Sequence, residues 1–208
     1  MGAGGSTSMK KIVVLASARG SNFQALIDAA RSGYFPGSIA RLITDNPEAY
    51  AIGRAKDAGI PVSVLDFGSF PGRGAYEKAL KREMEACDPD LFVLAGYMRI
   101  LPSAIVKAFP GRIMNIHPAL LPSFPGLHAQ RQALGYGVKV SGCTVHFVDE
   151  GTDTGPIIIQ RCIPVEEEDD EEALAARILV EEHQVLTEAV RLFCEERIRI
   201  VGRRVVIR

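Results

Sequence analysis

The apolar residues fall into short dense runs separated by stretches with helical spacing. Lys10-Lys11-Ile12-Val13-Val14-Leu15-Ala16 is rich in β-branched residues and predicts a strand buried on both faces. From Asn22 to Arg31, Phe23, Leu26, Ile27 and Ala30 line one face of a helix. Ile39 to Thr44 predicts a second strand. Asp45-Asn46-Pro47 is a turn that opens a helix running to Ala58, with Gly59 as its C-terminal stop. Val62 to Asp66, Gly74 to Ala86 and Asp90 to Ala95 predict strand, helix and strand. This alternation argues for βαβ units and a parallel sheet with right-handed crossovers. Ligands of such sheets gather beyond the carboxyl ends of the strands.

The pattern changes after residue 112. Arg112 to Ile116 predicts one more short strand. Pro118, Pro122 and Pro125 then exclude helix and central strand. Ser141 to Val148 and Pro156 to Val165 read as strands around a Gly-rich loop, Asp149 to Gly155. Glu171 to Glu195 is a long amphipathic helix, entered through the acidic run Glu166 to Glu172, which its dipole favours. Ile198 to Val201 and Val205 to Ile207 predict a terminal hairpin. The predicted fold class is α/β: a Rossmann-like parallel sheet with helices on both faces, whose C-terminal part adds mixed or antiparallel strands and a long helix. Residues 9–208 read as a single domain. Met1 to Ser8, small and Gly/Ser-rich, read as a disordered leader, native or added.

Composition narrows the class. The chain has 208 residues, 47% hydrophobic and 24% charged, enough for a core without staples. A net charge of −1 supplies no global field for nucleic acid or an acidic membrane. The four cysteines, Cys87, Cys143, Cys162 and Cys194, form no C-x-x-C pair and read as free thiols in a reducing cytoplasm. No apolar run approaches the ~20 residues of a membrane span. Small-molecule substrates and a monomer or homodimer are expected.

Four segments are candidates for chemistry. Gly20-Ser21-Asn22 sits between the first strand and first helix, where unpaired N–H groups suit a phosphate. The plain alternative is an N-cap by Ser21. Gly96-Tyr97-Met98-Arg99-Ile100-Leu101 leaves the ligand end of a strand, with buried packing as its alternative. In Asn115-Ile116-His117-Pro118, strand alternation places Asn115 and His117 on one face. An amide donor beside an imidazole suits a carbonyl oxygen that gains charge during acyl transfer, but a satisfied core Asn–His pair has the same pattern. Asp153, in the Gly-rich loop, favours the imidazolium if it reaches His117, and is otherwise a turn residue. No G-x-S-x-G elbow offers a nucleophilic serine. His117, His128 and His146 match no compact metal motif, so no metal is expected.

Taken together, these stretches resemble the phosphoribosylglycinamide formyltransferases, folate-dependent enzymes of purine (IMP) synthesis. The resemblance runs from about Met9 to about Cys194 and is carried by Gly20-Ser21-Asn22, Gly96 to Leu101, Asn115 to Pro122, Phe124-Pro125-Gly126-Leu127-His128, Arg131 to Leu134, Val145 to Val148 and Asp153 to Pro156. It implies the formyltransferase fold and 10-formyltetrahydrofolate as co-substrate, without metal. It also implies a catalytic trio of Asn115, His117 and Asp153. Gly20, Ser21, Asn22 and Glu182 would then bind the ribonucleotide. Arg73, Met98, Arg99, Ile100 and Leu101, with Asn115, would bind the folate. The chain departs from the family pattern at Ala18, Ala119 and Leu179, where the family carries a glycine, a serine and a polar residue. Related readings are a formyltetrahydrofolate hydrolase, a methionyl-tRNA formyltransferase and a non-catalytic ribonucleotide-binding module.

Overall fold

The computed structural model describes residues 8–208; the leader expected over the first eight residues lies, through residue 7, outside them. Among the described residues, nine strands form one sheet, in the order β3-β2-β1-β4-β5-β6-β7-β9-β8. In chain order they are β1 (Lys10–Leu15), β2 (Gly37–Thr44), β3 (Val62–Val64), β4 (Leu91–Leu94), β5 (Ile113–His117), β6 (Val140–Phe147), β7 (Ile157–Pro164), β8 (Ile198–Val201) and β9 (Arg204–Ile207). β1 to β5 pair in parallel. β6 is antiparallel to both β5 and β7. The expected parallel half and mixed C-terminal half are both present.

Six α-helices of the described residues connect the strands: α1 (Ser21–Arg31), α2 (Ala51–Asp57), α3 (Arg73–Cys87), α4 (Ser103–Ala108), α5 (Ala129–Tyr136) and α6 (Glu171–Cys194). Alternation along the buried strands feeds two cores. Ile12, Val14, Leu91, Val93, Met114 and Val145 face α1, α2 and α6. Val13, Leu15, Phe92, Leu94 and Ile113 face α3 and α4. Because Met114 and Ile116 point to the first core, Asn115 and His117 share the second face with Ile113. The same alternation puts Thr144 and His146 of β6 on that face, since Cys143, Val145 and Phe147 belong to the first core.

Three details differ from the sequence reading. α2 begins at Ala51, not at Pro47. The Asn46 side chain instead makes a turn, accepting from Glu48 N–H at 2.9 Å and donating to the Ser17 carbonyl at 3.1 Å. β3 ends at Val64 because Asp66 caps a 3-10 turn at Phe67–Ser69, accepting from Gly68 N–H at 2.9 Å. α4 and α5 occupy stretches for which no helix was expected.

The sheet reverses its direction of growth between β1 and β4, which places a crevice beyond their carboxyl ends. The loops leaving these strands are tied across it. Ser17 N–H donates to the Gly96 carbonyl at 3.1 Å, and Met98 N–H donates to Ser17 Oγ at 2.9 Å.

Candidate active site

The site begins with strand register. Asn115 lies opposite His146, and His117 opposite Thr144, across the β5–β6 pair. His146 is buried, and Phe147 O lies 2.9 Å from its Nδ1. A carbonyl only accepts, so Nδ1 carries the proton. Burial pushes the His146 pKa down, which keeps the ring neutral and its Nε2 an acceptor. The Asn115 amide nitrogen donates to that Nε2 at 3.2 Å. A neutral histidine therefore fixes which way the Asn115 amide points. The second Asn115 N–H remains for another acceptor.

His117 is arranged differently. Its Nε2 donates to the Phe124 carbonyl at 2.8 Å, and its Nδ1 lies 3.4 Å from Asp153 Oδ2. Both ring nitrogens thus face oxygens, one a carbonyl within hydrogen-bond reach and the other a carboxylate at ion-pair distance. Asp153 Oδ1 also lies 3.8 Å from His146 Nε2, but with that ring neutral the carboxylate charge is left for His117. The carboxylate is itself held, since Gly126 N–H donates to Oδ2 at 2.7 Å. Its loop folds on Asp149, whose Oδ1 accepts from Gly151 N–H at 3.0 Å and Thr154 Oγ at 2.6 Å. Arg203, in the turn between β8 and β9, donates to the Thr154 carbonyl at 2.9 Å. Asn115, His117 and Asp153 thus gather around His146 and the β5–β6 pair.

A second group forms at the start of α1. Gly20 takes a left-handed φ of 68°, and a Cβ on it would stand 2.8 Å from Ala51 Cβ, so glycine lets α1 and α2 approach. Ser21 is not the N-cap; it is the first helical residue, with no side-chain cap present. Asn22 Nδ2 donates to Glu182 Oε2 at 2.7 Å, joining α1 to α6. Glu182 and Asn22 are both buried, and Asn22 Oδ1 has no partner among the described residues. Leu179 lies one turn before Glu182 on α6.

Burial raises the Glu182 pKa above its ordinary 4.5, opposed by the Asn22 hydrogen bond. The folded state therefore binds the proton more tightly than the unfolded chain. This contribution is full below the unfolded pKa and is lost as pH rises through the folded value. Glu182→Gln removes the cost of an ionised buried carboxylate and offers an N–H to the orphan Asn22 oxygen. The variant is expected to melt higher at neutral pH, with a flatter acid-to-neutral stability profile. Each kcal/mol gained is worth about 2–4 °C in Tm for a chain of this size. Calorimetry from pH 4 to 8 that shows a lower Tm at neutral pH counts against the argument.

Of the residues read as folate-binding, Arg73, Met98, Arg99 and Ile100 line a cleft of about 230 Å³ together with Phe67, Tyr76 and Tyr97, while Leu101 and Asn115 lie outside its lining. Met98 and Ile100 project outward, 62% and 65% exposed, while Leu101 is buried. Arg73 is exposed and ion-paired with Glu77 at 2.5 Å. Arg99 turns inward to Asp45 at 2.5 Å. The loop leaves β4 beside the trio, because Leu94 pairs with Asn115. A larger hollow of about 540 Å³ lies at the other end of the sheet. Its cations are already engaged, Lys10 by Glu196 and Arg112 by Asp88, and it holds none of these residues.

Of the three departures, Ala18 gives its carbonyl to Ala51 N–H, and Ala119, fully buried, gives its carbonyl to Thr144 Oγ at 2.7 Å. Both act through their backbones. His146 is the residue whose part here the sequence reading missed. Pairing the alternation of β6 against that of β5 would have placed it opposite Asn115.

A carboxylate, an imidazole and an oriented amide gathered at the carboxyl end of β5 form an arrangement suited to acyl-type transfer. Residues 10–190 match the formyl transferase family, and the chain belongs to it. It is 45% identical over 193 residues to the phosphoribosylglycinamide formyltransferase of Mycobacterium tuberculosis, covering 93% of this chain and 89% of that protein. A crystal structure of glycinamide ribonucleotide transformylase 1 from Symbiobacterium toebii superimposes with a TM-score of 0.92 at 52% identity, covering 96% of this chain and 94% of that one. The trifunctional purine biosynthetic protein adenosine-3 of Drosophila melanogaster is 46% identical over 183 residues. That match covers 87% of this chain but spans only 14% of the longer protein.

Proposed function

We propose that the chain transfers the formyl group of 10-formyltetrahydrofolate to the amine of glycinamide ribonucleotide, yielding formylglycinamide ribonucleotide and tetrahydrofolate in purine biosynthesis. The observation that carries this reading is the convergence of His117 and Asp153 at 3.4 Å beside an Asn115 amide whose orientation is fixed. The Gly20-Ser21-Asn22 helix entry with buried Glu182 fits the phosphate and ribose of the acceptor. The cleft under Met98 and Ile100, with Arg73 at its edge, fits a flat apolar ring system ending in a carboxylate.

In this reading the acceptor amine attacks the formyl carbon while both substrates are bound. The formyl oxygen gains charge, and the free Asn115 N–H faces it. His117 exchanges the Phe124 carbonyl for that oxygen and gives its Nε2 proton toward the reaction. Asp153 keeps the imidazole charged and aimed. Proton movement from the amine to the departing folate nitrogen runs through His117 or a bound water. Holding two reactants in one geometry contributes several kcal/mol to barrier lowering, of the roughly 7–11 available to ideal alignment. No covalent enzyme intermediate enters.

The test is to mix purified protein with 10-formyltetrahydrofolate, with and without glycinamide ribonucleotide, and follow folate absorbance. Acceptor-dependent change is expected. Acceptor-independent change identifies a hydrolase, and no change in either mixture leaves only a binding module.

A further inference from the structure

We infer that Asp45 is a positioning residue for the formyl-donor cleft, acting through Arg99. The inference rests on the proposed placing of the donor against the Gly96–Leu101 loop.

Along that loop the side chains alternate. Met98 and Ile100 face outward over the cleft, and Arg99, between them, turns in. Its Nε meets Asp45 Oδ2 at 2.5 Å. Its guanidinium carbon lies 3.5 Å from the Phe67 ring centroid and 5.6 Å from that of Tyr76. A cation so placed is stacked and paired at once, a geometry suited to the planar guanidinium and not to an ammonium. Arg99 therefore serves as a strut in the cleft lining, its charge paired and stacked and not displayed free above it.

Asp45 follows directly on β2, and its side chain is only 5% exposed. A carboxylate this deep is costly unless it is paired, and Arg99 is its ion-pair partner among the described residues. Oδ1 has no hydrogen-bond partner there, so the attachment rests on Oδ2. The Asp45 backbone carbonyl also accepts from Phe67 N–H at 3.3 Å. One residue thus fixes both the strut and the ring on which the strut lies.

The neighbouring loop residues are pinned independently. The Tyr97 hydroxyl hydrogen-bonds to that of Tyr76, whose ring meets Phe67 edge-on at 5.1 Å. Met98 N–H is held by Ser17 Oγ. Loss of the Asp45 charge therefore releases the wall at Arg99 while Tyr97 and Met98 stay anchored. It also frees a guanidinium to swing into the cleft toward Glu77. Both changes disturb the donor site and leave the trio and the Asn22–Glu182 site untouched.

The experiment compares Asp45→Asn, Arg99→Gln, Arg99→Lys and the Asp45→Asn/Arg99→Gln double variant by steady-state kinetics, with Tm recorded for each. Asp45→Asn is expected to raise KM for 10-formyltetrahydrofolate about ten-fold, with kcat and the acceptor KM within about two-fold of the parent. Arg99→Lys keeps the charge and should recover part of the loss in Arg99→Gln. The double variant should be no worse than the poorer single one, because the two residues act as one unit. An unchanged donor KM in Asp45→Asn, with Arg99→Gln alone impaired, makes Arg99 a direct ligand and overturns the inference. A parallel fall of kcat and both affinities with falling Tm makes the pair merely structural and also overturns it. If Asp45→Asn does not fold, Asp45→Glu, which keeps the charge but displaces it, is read by the same split of KM against kcat. A parent protein without formyl transfer overturns the proposed function itself; a parent that transfers, with donor KM unmoved, overturns only the role of Asp45.

Discussion

Turnover of Asp153→Asn falls by roughly two to four orders of magnitude, the range lost when a positioned acid–base group is disabled. The backbone favours this test. Asp153 sits at a left-handed φ of 54°, and asparagine tolerates that region better than other non-glycine residues. The amide oxygen can still accept from Gly126 N–H, so the contact that seats the side chain survives. What disappears is the negative charge 3.4 Å from His117 Nδ1. Without it the imidazolium that forms during proton transfer loses its counter-charge. The fold should remain, with Tm within a few degrees of the parent. A single-turnover rate in Asp153→Asn equal to that of the parent would remove Asp153 from the mechanism.

The reach of Asp153 to His117 is the part of the site that the sequence could not contain. Each residue had a sound ordinary reading, one as strand packing and one as a turn former. Only the antiparallel return of β6 beside β5 brings the following loop back over His117. The parallel half of the sheet was legible because its strands are buried on both faces and therefore uniformly apolar, as in Ile12-Val13-Val14-Leu15. α4 and α5 were not. They have 6 and 8 residues, neither has a side-chain cap, and α5 starts from His128 in a left-handed conformation. Helices that short take their stability from packing, here Ile105 and Val106 for α4 and Ala129 and Ala133 for α5, so periodicity hardly registers. Arg99 shows the same limit. Its loop was read as a candidate folate-binding segment, but the inward turn depends on Asp45, more than fifty residues earlier in the chain.

Gly155→Ala is the substitution expected to couple stability to catalysis most directly. A Cβ on Gly155 would stand 1.7 Å from the Phe147 carbonyl oxygen and 2.8 Å from its carbon. These are backbone atoms and cannot rotate aside, so the loop or the end of β6 must move. Overpacking of this kind costs about 1–3 kcal/mol, and with backbone on both sides the upper end applies. The expected fall in Tm is on the order of 10 °C. The displaced carbonyl is also the one that accepts from His146 Nδ1. Moving it loosens the neutral ring that orients Asn115, while the loop shift carries Asp153 away from His117. Misplacement by about 1 Å is worth roughly 100-fold in rate, so kcat should fall by that factor even well below the new Tm. Gly135→Ala provides the contrast. Gly135 lies inside α5 with nothing within 4 Å of its added Cβ, and the change should be neutral or stabilise by about 0.4–1 kcal/mol. Parent-like Tm and kcat in Gly155→Ala would mean that neither the Phe147 carbonyl nor the Asp153 loop is held as tightly as the mechanism requires.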